Sequence, residues 1–245
     1  MAGHEPQRPV VIAVDGPAAA GKGTLARRLA EHFGYAYLDT GTLYRAVGIK
    51  TIRAGHDPAE PEAATAVARA LVPEDLERPD LRSDEAARAA SEVAAQVGVR
   101  EALLDFQREF ARRPPGGCGA VLDGRDIGTL VCPDAHVKLF ITASLFVRAR
   151  RRLRELRDRG AAVIHSTVLR DMKERDARDS EREVAPLRPA VDAYVINTSD
   201  LDPDTVLAVA LARVRARLLT TQENAQDHAQ DNGGLSLGSL GNPRQ

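Results

Sequence analysis

The sequence predicts an α/β fold in which helices flank a mostly parallel, five-stranded sheet. Five short runs rich in β-branched and aromatic residues indicate strands, at residues 10–14, 35–38, 120–122, 137–141 and 194–196. Helical patterns separate these runs, which is the arrangement of repeated strand–helix–strand units. The first run is apolar throughout, as expected for a central strand buried on both faces.

Acidic residues directly follow three of the predicted strands. Asp15, Asp39 and Asp123 stand at the ends of the first, second and third strands. The carboxyl ends of parallel strands meet at one edge of the sheet, and α/β proteins bind ligands in the crevice outside that edge. We therefore expect these three carboxylates to lie near a ligand site.

A glycine-rich loop joins the first strand to a predicted helix. The segment "DGPAAAGKGT" fits the pattern G-x-x-x-x-G-K-[ST] at Gly16, Gly21 and Lys22. A helical pattern follows it at Leu25, Ala26, Leu29, Ala30 and Phe33. Strand, glycine loop and helix in this order indicate a P-loop, whose backbone N–H groups and lysine hold the phosphates of a nucleoside triphosphate.

The loop departs from the usual pattern at one position. Gly23 stands where a hydroxyl residue is expected, and the hydroxyl comes one residue later, at Thr24. That hydroxyl usually binds Mg²⁺, so Thr24 is the nearest candidate for a metal contact. The departure points away from switch GTPases, which would also carry an N-K-x-D guanine motif; the nearest approach, "NTSD" at residues 197–200, lacks the lysine.

Helix caps and apolar stripes predict further helices. Ser83 and Asp202 have the side chains of N-caps, and Pro203 takes the first helical position. Stripes at helical spacing run through Ala86, Ala90, Val93 and Val97, through Val99, Leu103, Phe106 and Phe110, and through Leu207, Leu211, Val214 and Leu218.

Composition divides the chain into a core, an insert and two termini. Residues 54–100 contain several prolines among alanines and acids, which favours short helices in an insert rather than a sheet layer. The core is then formed by residues 8–53 and 101–220. Residues 1–7 and 221–245 are polar, and we expect both to be disordered.

Charged residues gather where an anionic second substrate would be held. Arg45 follows the second strand, and Arg125 and Asp126 follow the third. Later, an apolar stripe that starts at Val168 and Met172 continues at the same spacing through Arg175, Asp179 and Arg182. This stripe lines a polar site, or it is a solvated face with pairs such as Arg175–Asp179 four residues apart; the sequence alone leaves both open.

The run "RARRRLRELRDR" has two interpretations, a nucleic-acid surface or a structural helix. No aromatic residues interleave with its arginines, and the formal net charge of the chain is -1, so we favour a structural helix whose C-terminal end approaches the nucleotide. Cys118 and Cys132 fit neither a disulfide framework nor a zinc site. No apolar run reaches the length of a membrane helix. We expect a cytoplasmic monomer that binds neither membrane nor nucleic acid.

With these motifs assembled, the sequence resembles the bacterial cytidylate kinases, which are P-loop nucleoside monophosphate kinases. The resemblance runs from about residue 10 to residue 219 and rests on "DGPAAAGKGT", "LDTGTLYRA", "AASEVA", "VREALL", "LDGRDIGT" and "KERDARDSEREVAPLRPAVDA". It implies a P-loop NTPase fold with a short helical insert that binds the nucleoside monophosphate (NMP) and a lid at about residues 154–182. It also implies phosphoryl transfer from Mg-ATP to CMP or dCMP.

The resemblance assigns roles residue by residue. ATP would be bound by Gly16, Pro17, Ala18, Ala19, Ala20, Gly21, Lys22, Gly23 and Thr24, with Mg²⁺ near Thr24. The acceptor phosphate would be held by Thr40, Arg45, Arg125 and Arg182. The ribose would be held by Arg175 and Asp179, and the cytosine by Ser91, Arg100 and Asp126. The catalytic set would be Lys22, Asp123, Arg125 and Arg182.

Cytosine chemistry agrees with the residue types assigned to the base. An aspartate accepts from the 4-amino group, while arginine and serine donate to N3 and O2. Uracil reverses the donor pattern on that edge, so Asp126 would disfavour UMP. The remaining alternatives are a kinase for UMP, AMP or a non-nucleotide acceptor, and a nucleotide-dependent switch or RNA-binding protein. Residues 71–83 are too short and proline-broken for the small β unit found in the insert of longer family members.

Overall fold

The computed structural model describes residues 8–233, with side chains up to residue 220. Its sheet has five strands in the order β2-β3-β1-β4-β5, and every strand pair in this sheet is parallel. The strands are β1 Val10–Asp15, β2 Ala36–Asp39, β3 Gly119–Gly124, β4 Val137–Thr142 and β5 Tyr194–Asn197. The predicted α/β class and all five predicted strands are confirmed.

The register of the sheet brings the predicted carboxylates to one edge. Central strand β1 pairs with β3 and β4, and Ile12, Ala13 and Val14 are fully buried. Asp39 of β2 lies opposite Asp123 of β3, and Asp123 lies opposite Val14, one residue before Asp15. The three acids therefore end adjacent strands at the same edge, as the sequence predicts.

Eight α-helices surround this sheet in the described part of the chain. They are α1 Lys22–Phe33, α2 Thr40–Arg53, α3 Pro61–Arg69, α4 Asp84–Val93, α5 Val97–Arg112, α6 Leu145–Asp158, α7 His165–Glu181 and α8 Pro203–Gly233. Both predicted caps are confirmed: the Ser83 hydroxyl accepts from the Ala86 N–H, and Asp202 accepts from the N–H groups of Asp204 and Thr205.

The segment 54–100 forms short helices, as its mixture of prolines, alanines and acids predicts. It contains α3, two 3₁₀ turns (Pro73–Leu76 and Pro79–Arg82), α4 and the first residues of α5, with no strand among these described residues. Helix α4 packs closely against α2 at Gly48. The absence of a side chain there permits this, since a Cβ on Gly48 would stand 2.6 Å from the Cβ of Ala89. This close crossing fixes the insert against the core helix that begins at the end of β2.

The C-terminal helix is longer than the sequence predicts. Helix α8 continues to Gly233, whereas disorder is predicted from residue 221. No glycine or proline stands between Pro203 and Gly233, so nothing in the backbone interrupts the helix before that glycine. The predicted disorder of residues 1–7 and 234–245 lies outside the described residues. None of the described helices combines the length and apolarity that a membrane crossing requires.

Candidate active site

The P-loop has the backbone that its glycines predict. Gly16 has a φ of 149°, and a Cβ there would stand 2.0 Å from the carbonyl oxygen of Ile141 on β4. Gly21, with a φ of 93°, precedes the first residue of α1. Strand, loop and helix therefore follow one another as predicted, and the N–H groups at the start of α1 lie beside Lys22.

Three side chains brace the carbonyl groups of this loop. The buried Thr198 hydroxyl donates to Ala20 O at 2.9 Å, and Arg151 Nη1 lies 3.5 Å from the same oxygen. Arg148 donates to Ala18 O at 3.4 Å. Because these donors occupy the carbonyl side, the loop is held in shape and its N–H groups stay available for phosphates.

The arginine-rich helix α6 is structural, but it meets the P-loop with its N-terminal half. The sequence interpretation placed the C-terminal end there and is wrong on this point. Ser144 caps α6 just after β4, so the first turns of the helix lie at the ligand edge of the sheet. Arg148 is only 5% exposed and donates to both carboxylate oxygens of Asp176 on α7, at 3.0 and 2.6 Å.

The residue missing its hydroxyl, Gly23, faces a carboxylate. A Cβ on Gly23 would lie 3.0 Å from Asp123 Oδ2 and 3.9 Å from the Tyr37 hydroxyl. Asp123 Oδ1 is 3.4 Å from Lys22 Nζ, and Tyr37 donates to Oδ2 at 3.4 Å. The carboxylate of Asp123 therefore occupies the space next to the position that a P-loop serine or threonine would fill, while Thr24 is exposed.

Burial disfavours the ionised forms of Lys22 and Asp123 more strongly than the attraction between the two charges favours them. Burial lowers the pKa of Lys22, and the neighbouring guanidinium of Arg125 lowers it further. Burial raises the pKa of Asp123, and Asp39 adds to the increase while Lys22 opposes it. A polyanion beside Lys22 would stabilise its charged form.

One cavity at the sheet edge gathers every residue that the sequence assigns to CMP. Lys22 and Asp123 line the same cavity, whereas the rest of the P-loop lies outside its lining. The predicted lining residues are Thr40, Arg45, Ser91, Arg100, Arg125, Asp126, Arg175, Asp179 and Arg182. They come from α2, α4, α5, the end of β3 and α7, so the fold brings together residues that are far apart in the chain.

The cationic end of the cavity has hydrogen-bonding capacity to spare. Within residues 8–220, Arg175 Nε and Arg182 Nη2 are buried without a hydrogen-bond partner. Burial lowers the pKa of Arg175 to about 10, with Arg125 as the next cause. Arg45 is paired with Asp39 at 2.7 Å. Converging guanidinium groups with unused donors suit a phosphate ligand.

The charged stripe of α7 faces inward. Val168 and Met172 are buried, and Asp179, further along the same helix, is 4% exposed. Burial would raise the pKa of Asp179, but nearby arginines, Arg125 first, outweigh it and hold the pKa below its usual value. The partner of Asp179 is Arg125 at 3.2 Å, so the alternative of a solvated face with an Arg175–Asp179 pair is not what the structure shows.

The base-reading candidates are already engaged with protein groups. Arg100 Nη2 forms an ion pair with Asp126 Oδ2, and its guanidinium lies 5.6 Å from the centre of the Tyr44 ring. The Ser91 hydroxyl accepts from Arg178. Thr40, assigned to the acceptor phosphate, donates its hydroxyl to Asp123 O at 2.7 Å, which fastens α2 to β3.

A family model described as "Cytidylate kinase" matches residues 12–216, which include all of these positions. The chain belongs to the cytidylate kinase family. The protein named cytidylate kinase from Paramagnetospirillum magneticum is 63% identical over 207 residues, covering 84% of this chain and 98% of that protein. Those from Rhodospirillum rubrum and Granulibacter bethesdensis are each 59% identical, covering 82% and 85% of this chain and 95% and 98% of theirs.

The sequence does not predict the roles of three side chains near this site. Tyr44 and Arg178 lie within two of the family motifs, but no role is assigned to them there, because a residue that packs beside a ligand group looks like any core or surface residue. Asp15 was singled out only as a strand-end acid. Its carboxylate accepts from the N–H groups of Ile127 and Gly128, both at 2.8 Å, and so holds the turn that follows Asp126.

Proposed function

We propose that the protein transfers the γ-phosphoryl group of Mg-ATP to CMP or dCMP, giving CDP or dCDP. One observation carries the proposal: the residues assigned to CMP line a single cavity that also reaches Lys22 of the P-loop. A donor site and an acceptor site that share one lysine are the arrangement that direct phosphoryl transfer requires. Membership of the cytidylate kinase family supports the same reaction.

Catalysis would rest on alignment and charge. The P-loop N–H groups and Lys22 would hold the β- and γ-phosphates of ATP. Arg125 and Arg182 would bind the acceptor phosphate and hold it close to the γ-phosphate. The acceptor oxygen is already anionic, so no side chain has to remove a proton from it. The unused donors of Arg175 and Arg182 can follow the charge that develops on the transferred group.

The base would be recognised by groups that now satisfy one another. Asp126 would accept from the 4-amino group of cytosine, and Arg100 and Ser91 would donate to its ring acceptors. The ion pair between Arg100 and Asp126 keeps both charges compensated until the base arrives. Arg175 and Asp179 would hold the ribose from α7.

Mg²⁺ is also part of the proposal, and the donor set fits it only as a nucleotide-bound ion. No group of three metal-binding side chains occurs among the described residues. The carboxylate of Asp123, which lies 3.4 Å from Lys22 Nζ, and the exposed hydroxyl of Thr24 are the candidate oxygen ligands, for the ion itself or for its waters, and the phosphates would supply the rest. The ion would neutralise charge on the phosphates when bound.

The organisation of the chain belongs to the proposal as well. Residues 8–53 and 101–220 would form the core, residues 54–100 the NMP-binding insert, and residues 154–182 a lid that excludes water when it closes. We expect a cytoplasmic monomer that uses no nucleic acid or membrane partner.

Diphosphate formation from each monophosphate tests the proposal. We expect CDP and dCDP to form well above UDP and ADP in the presence of Mg-ATP, and Lys22→Ala to lower the rate at least a hundredfold. Lys173→Ala removes an exposed lysine of α7 and serves as the matched control. Equal, slow loss of ATP with every acceptor would contradict the proposal, and a steep salt-dependent affinity for RNA would favour the binding alternative.

A further inference from the structure

We propose that Arg178 sets the preference for cytosine from outside the cavity, by fixing the direction in which the Ser91 hydroxyl donates. This inference rests on the proposed function and adds a residue to it. Arg178 lies on α7, is exposed, and is absent from the cavity lining, whereas Ser91 on α4 lines the cavity and is 4% exposed. Arg178 Nη1 donates to Ser91 Oγ at 2.7 Å.

The direction of this hydrogen bond is set by chemistry. A guanidinium group has only donors, whereas a serine hydroxyl has one hydrogen and two lone pairs. Ser91 therefore accepts from Arg178, and its own hydrogen is left for another partner. A serine inside a helix often donates that hydrogen to the carbonyl four residues earlier. Within residues 8–220, Ser91 Oγ has no hydrogen bond besides the one from Arg178.

A serine committed to donating distinguishes the two pyrimidines. Cytosine has an acceptor at N3, whereas uracil has an N–H there. If Ser91 were free to rotate, it could accept from that N–H as easily as it donates to cytosine. Arg178 occupies one of the two lone pairs, which removes one hydroxyl rotamer, and its positive charge polarises the O–H bond. Both effects make the hydroxyl a better donor and a weaker acceptor, which favours the N3 acceptor of cytosine over the N3–H of uracil.

The same contact joins the two sides of the binding site. Arg178 stands on α7 between Arg175 and Asp179, which the resemblance assigns to the ribose, and it reaches α4, which carries the base-reading Ser91. A second link to α4, the ion pair between Arg152 of α6 and Asp84, joins α4 to α6 without touching the cavity. Of these two links, only the one through Arg178 ends on a base-reading group.

Two substitutions and a control separate this role from simple packing. We expect Arg178→Met to lower the ratio of kcat/KM for CMP to that for UMP about tenfold, the size of one net hydrogen bond, and to leave the KM for ATP unchanged. Arg178→Lys keeps a donor and should recover most of the ratio. Arg170→Met, on an exposed arginine of the same helix, should keep the ratio within twofold of the unmodified enzyme.

A Ser91→Ala background completes the test. There, Arg178→Met should change the ratio no further, because the hydroxyl that it orients is gone. The role of Arg178 would be overturned by equal losses for CMP and UMP in Arg178→Met, by additive losses in the double variant, or by an unchanged ratio. An unmodified enzyme without a preference for CMP over UMP would instead overturn the proposed function itself, so the two failures are distinguishable.

Discussion

Replacing Asp15 by asparagine should remove a specific dependence of stability on pH. Asp15 ends β1, is 6% exposed, and accepts hydrogen bonds from two backbone N–H groups of the turn after Asp126. Burial raises the pKa of Asp15 to about 7; Asp126 and Asp123 add to the increase, and the two N–H groups oppose it. Asparagine has nearly the shape of the neutral carboxyl and cannot ionise. Its amide oxygen can accept from only one of the two N–H groups, which lowers stability by an amount that does not depend on pH.

The magnitude follows from the two pKa values. The carboxyl titrates near pH 7 in the folded protein and near its ordinary value of 3.8 in the unfolded chain. One pKa unit corresponds to about 1.4 kcal/mol, so ionising Asp15 costs roughly 4 kcal/mol more in the folded protein than in the unfolded chain. Between the two values only the folded protein keeps the proton. Its free energy of unfolding therefore falls as pH rises, by up to about 1.4 kcal/mol per pH unit, and levels off above pH 7.

The assay is urea unfolding of both proteins at pH 5, 6, 7 and 8. Because all other titrating groups are common to the two chains, the difference in unfolding free energy isolates Asp15. We expect the free energy of unfolding of the unmodified protein, relative to that of Asp15→Asn, to fall steadily from pH 5 to pH 7 and to change little between pH 7 and pH 8. Stability curves that stay parallel over this range would refute the reasoning, as would a relative gain in stability of the unmodified protein with rising pH.

Two further predictions follow from contacts of the P-loop and of α7. Gly23→Ser restores the usual P-loop hydroxyl, but its new Cβ stands 3.0 Å from Asp123 and crowds that carboxylate. We therefore expect kcat to fall at least tenfold with little change in the KM for CMP. A raised kcat would contradict this prediction. Asp176→Asn weakens the paired bonds to buried Arg148 and should lower the free energy of unfolding by about 1–3 kcal/mol in urea, whereas Asp171→Asn, at an exposed position of α7, should change it by less than about 0.5 kcal/mol.

The parts of this fold that sequence reasoning predicts are those that leave a pattern in consecutive residues. The strand β1 is a continuous apolar run because both of its faces are covered, and the loop after it needs glycine because Gly16 meets the Ile141 carbonyl. Caps at Ser83 and Asp202 follow from side chains that reach backbone N–H groups two or three residues away. The caps depend on neighbours in the chain, whereas the apolar strand and the glycine after it depend on close packing at the centre of the sheet.

Charge partners are not predictable in the same way. The spacing on α7 suggests that Arg175 pairs with Asp179, yet Asp179 pairs with Arg125, which lies 54 positions away in the sequence. Likewise, Arg178 looks like a solvated arginine until α4 is placed against α7. A helix pattern specifies which residues share a face, but only the packing of elements decides which opposite charge that face meets.

The glycine at position 23, where a P-loop usually has serine or threonine, shows why a motif should be interpreted together with distant residues. By itself, the missing hydroxyl points away from the switch GTPases and says nothing about what replaces it. In the fold, β3 ends beside α1 and places the Asp123 carboxylate next to Gly23 and within 3.4 Å of Lys22. Asp123 also belongs to the strand end that carries Arg125 and Asp126. The glycine thus makes room for a strand end whose residues Asp123, Arg125 and Asp126 line the cavity, and so the departure in the P-loop accompanies the acceptor site that we propose.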